Sequence, residues 1–310
     1  MSTYAIVNPA AGRGRARRLW PRIEPRLRAA VSDLTVAWTS APGEATHLAR
    51  SAARAGHERL VAVGGDGTFH EVVNGLYGTD SPRRAGAPRL LPLACGTGDD
   101  FRRSLGVPPV PEALSRLPAL RSRRIDLLRV NYTNRRGERA RCHALNVTSF
   151  GLSGRIVRTL QRRRASRSLL PARLQYVGAL LRALLSHRPV AADLVLDGSA
   201  LPGSSLHLAA VANGHSFGGG IRIAPGAVLD DGRLRVTVLH DTPAAALLCR
   251  LPRFYRGTHS AIEGVTIRTG RRLTARPRQS ESVPVEADGE LLGRLPAAVT
   301  VVPDALRLEY

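Results

Sequence analysis

The sequence predicts an α/β domain with a mostly parallel sheet, followed by a β-rich antiparallel domain with a helical insertion. The first third of the chain alternates strand-like and helix-like runs, which favours a parallel sheet covered by helices on both faces. Three of its strand-to-helix turns carry glycines. After about residue 125, short strand patterns separated by turns replace the alternation. We therefore predict domains 1–124 and 125–310, and the last strand is a candidate to return to the first domain.

The first domain contains four strand patterns, each followed by a turn: TYAIVNP, DLTVAWT, RLVAVGG and RLLPLA. The first helix pattern places five residues near one face: Leu19, Trp20, Ile23, Leu27 and Ala30. Because Pro21 and Pro25 lie inside it, a kink or a late start is expected. The second helix, in GEATHLARSAARAG, is expected to stop at Gly56.

The second domain begins with RIDLLRVNYTNRRGERARCHALNVTSFG, which predicts two strands joined by the polar turn NRRGE. A basic, helix-prone segment runs from Arg155 to about His187. Six further short patterns, each interrupted or bounded by turns, predict strands: DLVLDGS, SLHLAAVAN, RIAPGAVLDDGRLRVTVL, GVTIRTG, VPVEADGELL and AVTVVPDALRLEY.

The glycine loops of the first domain predict a binding site. Glycines occur at positions 12 and 14, at 64, 65 and 67, and at 96 and 98, each group after a strand. Parallel strands with crossovers of one hand bring such loops to one edge of the sheet, where ligands bind. We expect the three loops to converge on a ligand.

The GGDG stretch suggests which ligand. We expect Gly64, Gly65 and Gly67 to adopt backbone angles closed to other residues, so that amides approach an anion. Thr68 would open a helix whose first N–H groups favour negative charge. Asp66 would repel a phosphate unless Mg²⁺ lies between them. The alternative is a tight turn in which Asp66 caps its helix. Neither the Walker A motif nor the G-x-G-x-x-G fingerprint is present here.

Several motifs together resemble one family. NPAAGRGR, GGDGTFHEVVNG and PLACGTGDDFRRSLG resemble the catalytic domain shared by bacterial diacylglycerol kinases and sphingosine kinases. NVTSFGLSG, VANGHSFGGGIRIAPGAVLDDGRLRV and VEADGE resemble that family's second domain, so the resemblance covers nearly the whole chain. It implies a fold of the NAD kinase/diacylglycerol kinase type. It also implies transfer of the γ-phosphate of MgATP to a lipid alcohol such as diacylglycerol.

The resemblance also implies site residues. ATP contacts would come from three groups: Asn8, Pro9, Ala10, Ala11 and Gly12; Gly64, Gly65, Asp66, Gly67, Thr68, Phe69 and His70; and Thr39 with Thr97. Asp66 would organise the catalytic Mg²⁺, and Glu290 would be the general base on the substrate hydroxyl. A structural Mg²⁺ would be held by the side chain of Asp231 and the carbonyls of Val228 and Arg233.

Two positions depart from the family pattern, which usually has asparagine where this chain has His70 and Asp99. His70 can still donate a hydrogen bond to phosphate, whereas an ionised Asp99 would approach the metal instead. From the residues alone, the Asp-Gly pair before Glu290 is also typical of an ordinary hairpin. The VLDDGR loop around Asp231 equally fits a solvated turn.

Competing functions remain open at this point. GHSFG fits the hydrolase pattern G-x-S-x-G, but the glycine-rich residues after Ser216 do not predict the helix that a nucleophile elbow needs. GGDGT alone is shared with NAD kinases, which makes an NAD kinase-like enzyme an alternative. A non-enzymatic basic protein that binds membrane surfaces is another.

The charge of the chain bears on its partners. The formal net charge is +22 and the chain has no lysine, so anionic partners are favoured. With only 4% aromatic residues, nucleic acid is disfavoured. The arginines and leucines of residues 155–187 fit either an anionic bilayer surface or a solvated face above a packed one. No secretory signal or membrane span is evident. We expect a cytoplasmic protein, peripheral at the inner membrane face, and a homodimer is left open.

Overall fold

The computed structural model describes residues 2–78, 86–164, 172–186, 188–278 and 282–310. The chain forms two compact units. The first comprises the chain up to Leu127 together with Val302–Tyr310, and the second comprises Leu128–Val301. The predicted boundary at 124/125 falls within a strand, Ser122–Asn134, that continues from one unit into the other.

The first unit is an α/β domain, as predicted. Its parallel sheet has the order β4-β3-β1-β2, and the end of the last strand joins it through the pair Leu308 and Leu90. The strands are β1 (Ser2–Val7), β2 (Asp33–Trp38), β3 (Arg59–Gly64) and β4 (Arg89–Ala94). The helices are α1 (Ala11–Ala30), α2 (Glu44–Arg54), α3 (Asp66–Tyr77), α4 (Asp100–Leu105) and α5 (Val110–Ser115).

The first helix contains Pro21 and Pro25, so the prolines do not set where its regular turns start. Its backbone is not helical from Gly12 to Gly14, and the regular turns follow. Trp20, Ile23 and Leu27 are buried as predicted, and Leu19 packs against the same cluster. Ala30 is exposed because it is the last residue of the helix, beyond the turns that pack on the sheet.

The second unit is β-rich and mainly antiparallel, which also confirms the prediction. Its strands are β5 (Ser122–Asn134), β6 (Arg139–Ala144), β7 (Val147–Gly151), β8 (Val190–Leu196), β9 (Ser199–Ala200), β10 (Ser205–Ala212), β11 (Leu234–His240), β12 (Val265–Gly270), β13 (Arg272–Pro277), β14 (Pro284–Ala287) and β15 (Glu290–Glu309). The main run of pairs is β12-β11-β10-β7-β14-β15, and β5 and β6 form the predicted hairpin.

The helices of this unit are α6 (Leu152–Arg164), α7 (Ala172–Ser186) and α8 (Ala244–Arg256). The predicted basic segment therefore forms two helices, and its residues 165–171 and 187 lie outside the described residues. Ile156, Ala179 and Leu184 are buried in a core cluster that also holds residues of β10 and α8. These side chains of α6 and α7 are thus packed against protein, whereas Leu181 of α7 is exposed. Among the described helices, none combines the length and apolar character needed to cross a bilayer.

Helix α8 was not predicted from the sequence. The stretch that forms it is rich in alanine and leucine but contains Pro252, which counts against a helix. Packing of Leu247 and Phe254 into the same cluster offsets that preference.

Candidate active site

The three glycine loops of the first unit converge, as expected. The Asn8 side chain donates a 3.0 Å hydrogen bond to the Thr68 hydroxyl, which joins the loops after β1 and β3. A Cβ on Gly96 would lie 2.8 Å from the Cα of Gly65, so the loops after β3 and β4 touch through their backbones. A Cβ on Gly12 would clash with the carbonyl oxygen of Cys95. The glycines therefore permit three loops to pack at one sheet edge.

The reason expected for the glycines of the GGDG loop was wrong. Gly65 has a φ of −108°, and Gly64 and Gly67 are not among the residues with positive φ. Their role is close approach, because a Cβ on Gly64 would clash with the Thr68 side chain. The helix also begins earlier than expected, at Asp66.

The amino terminus of α3 lies at this edge. Its first intrahelical hydrogen bond runs from the amide of Phe69 to the carbonyl of Gly65, over 3.1 Å. The amides of Asp66, Gly67 and Thr68 precede that bond, and such groups form a binding site for anions.

Asp66 does not cap its own helix, for which no side-chain cap exists. Its two carboxylate oxygens accept hydrogen bonds of 3.1 Å from the amides of Asp100 and Phe101. These amides belong to the amino terminus of α4, so Asp66 caps the neighbouring helix. Each carboxylate oxygen retains a second lone-pair direction for another partner.

The electrostatics around Asp66 fit a cation. Burial and the nearby charge of Asp100 raise the pKa of Asp66 to about 7. Burial also raises the pKa of Asp99, although Arg102 lies 3.6 Å from one of its oxygens. The other oxygen of Asp99 is buried without a hydrogen-bond partner among the described residues. Asp100 is paired with Arg103 over 3.0 Å.

A magnesium ion fits these donors. Carboxylate oxygens are ligands that Mg²⁺ prefers, and it is commonly held by one or two of them together with waters and phosphates. The described residues hold no group of three or more acidic, histidine or cysteine side chains arranged for a metal. The residues present therefore suit a metal that arrives with phosphate rather than one enclosed by protein.

The other predicted nucleotide contacts have different surroundings. Thr39 is buried, and its amide bonds the carbonyl of Val7 at the end of β1. Thr97 is exposed in the loop after β4. The Phe69 side chain is buried and packs edge-on against Phe101, so any ligand contact at this position falls to the backbone.

The remaining members of this set are distributed around the same loops. The side chain of Asn8 holds the loop, because its carbonyl accepts the amide of Ala10 while its amide reaches Thr68. Ala10 is exposed, whereas Pro9 and Ala11 are partly buried. His70 is buried in α3, and its carbonyl accepts the side chain of Asn74.

Glu290 is the first residue of β15 and pairs with Ala287 across a hairpin. The turn consists of Asp288 and Gly289, with φ of 50° and 84°. Two consecutive positive φ angles define the turn type that Asp-Gly favours in two-residue hairpins. The hairpin considered as an alternative is therefore present, and it fixes the position of Glu290 in the second unit.

Two acidic side chains hold this turn. The Asp288 carboxylate accepts the amides of Leu145, Asn146 and Val147 over 2.9 to 3.2 Å. Glu286 is buried and accepts the amide of Gly289 over 3.0 Å. The hydroxyl of Ser149 donates a hydrogen bond to the other carboxylate oxygen of Glu286. The turn before Glu290 is thus fixed from both sides.

The VLDDGR loop forms an exposed turn. Asp231 accepts the amide of Arg233 over 2.9 Å, and Val228 is 47% exposed. The metal ligands assigned to Val228, Asp231 and Arg233 stay a prediction. In GHSFG, Ser216 is buried and residues 217–221 form a turn closed by a bridge between Phe217 and Ile221, not a helix. A nucleophile elbow is therefore excluded.

Sequence reasoning missed three acidic residues of these sites: Asp100, Glu286 and Asp288. The paired aspartates of GTGDD were a signal for Asp100, but only Asp99 was considered. Glu286 and Asp288 lie in the quoted VEADGE motif, where only the last acid was assigned a role.

Comparison with known proteins decides the family. The diacylglycerol kinase catalytic domain model matches residues 2–130. The YegS C-terminal NAD kinase beta sandwich-like domain model matches residues 146–310. A diacylglycerol kinase of Mycobacterium tuberculosis is 30% identical over 307 residues, covering 98% of this chain and 93% of the relative. The chain belongs to the diacylglycerol kinase family. Membership makes the protein a lipid kinase, and therefore a phosphotransferase.

Solved structures agree with the fold of this family. A diacylglycerol kinase from Bacillus anthracis has a TM-score of 0.72 and 23% identity, covering all of this chain and 96% of that one. A yeast NADH kinase has a TM-score of 0.52 and 13% identity, covering all of this chain and 82% of that one. These likenesses show a fold shared by the lipid kinase family and the NAD kinases.

Proposed function

We propose that this lipid kinase transfers the γ-phosphate of MgATP to the hydroxyl of a lipid alcohol such as diacylglycerol. The observation that carries the proposal is the convergence of three glycine loops on the amino terminus of α3, beside the carboxylate of Asp66. Phosphoryl transfer requires chiefly positioning and charge neutralisation, and this arrangement offers both.

The residues have separate roles in this proposal. The amides of Asp66, Gly67 and Thr68 bind phosphate oxygens of ATP. Asp66 holds the metal, with Asp99 and Asp100 adding negative charge nearby. Magnesium, when bound, neutralises charge on the transferred phosphoryl group. Glu290 accepts the proton of the acceptor hydroxyl as that oxygen attacks phosphorus.

Contact with an anionic membrane surface, on the cytoplasmic side, is also part of the proposal. The net charge of +22 supports it. Insertion of Ile156, Ala179 and Leu184 into a bilayer is disfavoured, because these side chains are packed in the core of the second unit. Attraction by exposed arginines is the form of contact that the structure favours.

The test is transfer of label from γ-³²P-ATP with magnesium to a panel of lipid alcohols in vesicles, with NAD as a competing soluble acceptor. We expect labelled lipid and no labelled NAD. The double variant Asp66→Asn/Glu290→Gln is the control. Labelling of NAD instead of lipid contradicts the proposed acceptor, and lipid labelling that persists in the double variant contradicts the mechanism.

A further inference from the structure

Two adjoining cavities of the second unit are lined by arginines. The first, of about 360 Å³, lies among α6, α7 and β14, with Arg155, Arg158 and Arg182 in its wall. The second, of about 540 Å³, has Arg135, Arg158 and Arg294 in its wall. The two share Arg158 and Ser282. They form one site, called here the arginine site.

Among the described residues that line the arginine site, none is acidic. Within the described part of the chain, Arg135, Arg155, Arg158 and Arg294 form no ion pair. Like charges held together are unfavourable unless an anion joins them. The site therefore contains unbalanced positive charge in a concave surface.

A third cavity of the same unit provides the contrast. It has about 680 Å³ and also contains two arginines, Arg276 and Arg278. Its wall includes Asp193, which lies 2.6 Å from Arg278. Asp193 balances one of the two arginines of this cavity, whereas no described acid balances those of the arginine site. The abundance of arginine in the chain therefore does not by itself explain the difference.

The chemistry of the arginine site selects phosphate. Guanidinium groups bind phosphate through paired, charge-assisted hydrogen bonds. Arg155, Arg158 and Thr159 lie at spacings of three and four residues, which places them on one face of α6. Arg182 reaches the same cavity from α7. Several donors from different elements can thus surround a single anion.

We propose that the arginine site binds the phosphate group of an anionic phospholipid in the membrane surface. Two observations favour a lipid over free phosphate. Leu291, in the wall of the site, directly follows Glu290, and Leu181, next to Arg182 on α7, is an exposed apolar residue. The choice of a lipid rests on the proposed kinase function, whereas the phosphate chemistry does not.

The first experiment compares two double variants that remove the same charge. Arg158→Gln/Arg294→Gln alters the arginine site, and Arg276→Gln/Arg278→Gln alters the third cavity, in which Asp193 balances one arginine. Binding is measured with phosphatidylcholine vesicles, with and without phosphatidylglycerol. If the arginines acted only through diffuse attraction, loss of two charges would reduce the affinity of both variants alike. We expect the first variant to lose at least about tenfold more affinity than the second. Equal losses overturn the proposal.

Inorganic phosphate separates the two sources of the anion. At constant ionic strength, phosphate should displace wild-type protein from phosphatidylglycerol vesicles and leave the residual binding of Arg158→Gln/Arg294→Gln unchanged. If phosphate raises the melting temperature of the wild type alone, while both double variants bind vesicles equally, the site serves free phosphate and the lipid assignment is wrong.

Two controls keep the result unambiguous. Circular dichroism checks the fold, and Arg155→Gln, at an exposed position of α6, replaces the double variant if that protein does not fold. Kinase turnover of the wild type is measured in parallel. A wild type without turnover refutes the proposed function but leaves the comparison of vesicle affinities standing.

Discussion

The acids of the GGDG loop and those of the ADGE hairpin have the same chemistry but opposite surroundings. Burial and the charge of Asp100 raise the pKa of Asp66 to about 7. Asp288 instead accepts three backbone amides. The carboxylate of Asp66 lies near others of like charge, which favours a cation. The carboxylate of Asp288 is matched by hydrogen-bond donors. The comparison teaches that an acid in a glycine-containing turn binds a ligand or holds the fold according to its neighbours.

The largest expected effect is loss of turnover in Asp66→Asn. Removal of the charge that holds the metal should lower kcat on the order of 10³-fold. The fold should persist, because relief of the repulsion with Asp100 offsets the one backbone hydrogen bond that the new NH₂ group cannot accept. Steady-state kinetics and thermal unfolding measure the two quantities. If the variant instead unfolds but its folded fraction keeps full specific activity, then Asp66 holds the fold and does not act in catalysis. That result would contradict the role assigned to the GGDG loop.

The next effect concerns Glu290→Gln. Loss of a general base should lower kcat by about 10²-fold or more, while the KM for ATP stays near that of the wild type. The hairpin should be unaffected, since Asp288 and Glu286 hold it. Steady-state kinetics check the assignment, and a variant that keeps the kcat of the wild type would contradict it.

Asp288→Asn should act on stability. The amide keeps one acceptor oxygen but turns its NH₂ group towards a backbone donor, so the free energy of unfolding should fall by about 2 kcal/mol. Urea unfolding measures the loss. Asp193→Asn is a matched control, because its ion pair with Arg278 is exposed and contributes little. Equal stability of the two variants would show that the three hydrogen bonds to Asp288 do not contribute to the free energy of unfolding.

The smallest effect is a pH dependence of stability without metal. Asp66 has a model-compound pKa of 3.8 and a pKa of about 7 in the folded protein. Between these values the unfolded chain loses the proton and the folded chain keeps it, so stability falls as the pH rises from about 4 to about 7. In EDTA, the wild type should show a steeper fall than Asp66→Asn. Parallel curves of stability against pH for the two proteins would contradict the raised pKa of Asp66. Addition of Mg²⁺ at pH 8 should stabilise the wild type more than the variant.

Much of the first unit was predictable because its signals are local. Strand and helix periodicity gave the order of the elements, and the topology of a parallel sheet placed the loops after β1, β3 and β4 together. The cause assigned to Gly64 and Gly65 was wrong, since loop contact rather than unusual φ requires them. Contacts between loops distant in sequence leave no periodic signal.

The second unit was less predictable in detail. Helix α8 was missed because packing of Phe254 and its neighbours outweighs Pro252, and packing depends on residues far along the chain. The sequence left open whether the apolar residues of α6 and α7 pack on protein or face a bilayer. Ile156 and Leu184 pack on protein, and contact of the segment with a membrane stays a prediction.

The sequence by itself determined the fold class, the order of the strands and helices in the first unit and the convergence of its glycine loops, because turn residues and periodicity are local properties of the chain. Tertiary structure alone decided that Asp66 caps α4, that Asp288 and Glu286 hold the turn before Glu290, and that unbalanced arginines share a cavity. These features depend on which backbone amides and charges meet across distant segments. The free energy of a carboxylate or a guanidinium is set by those neighbours, which the linear order of residues does not specify.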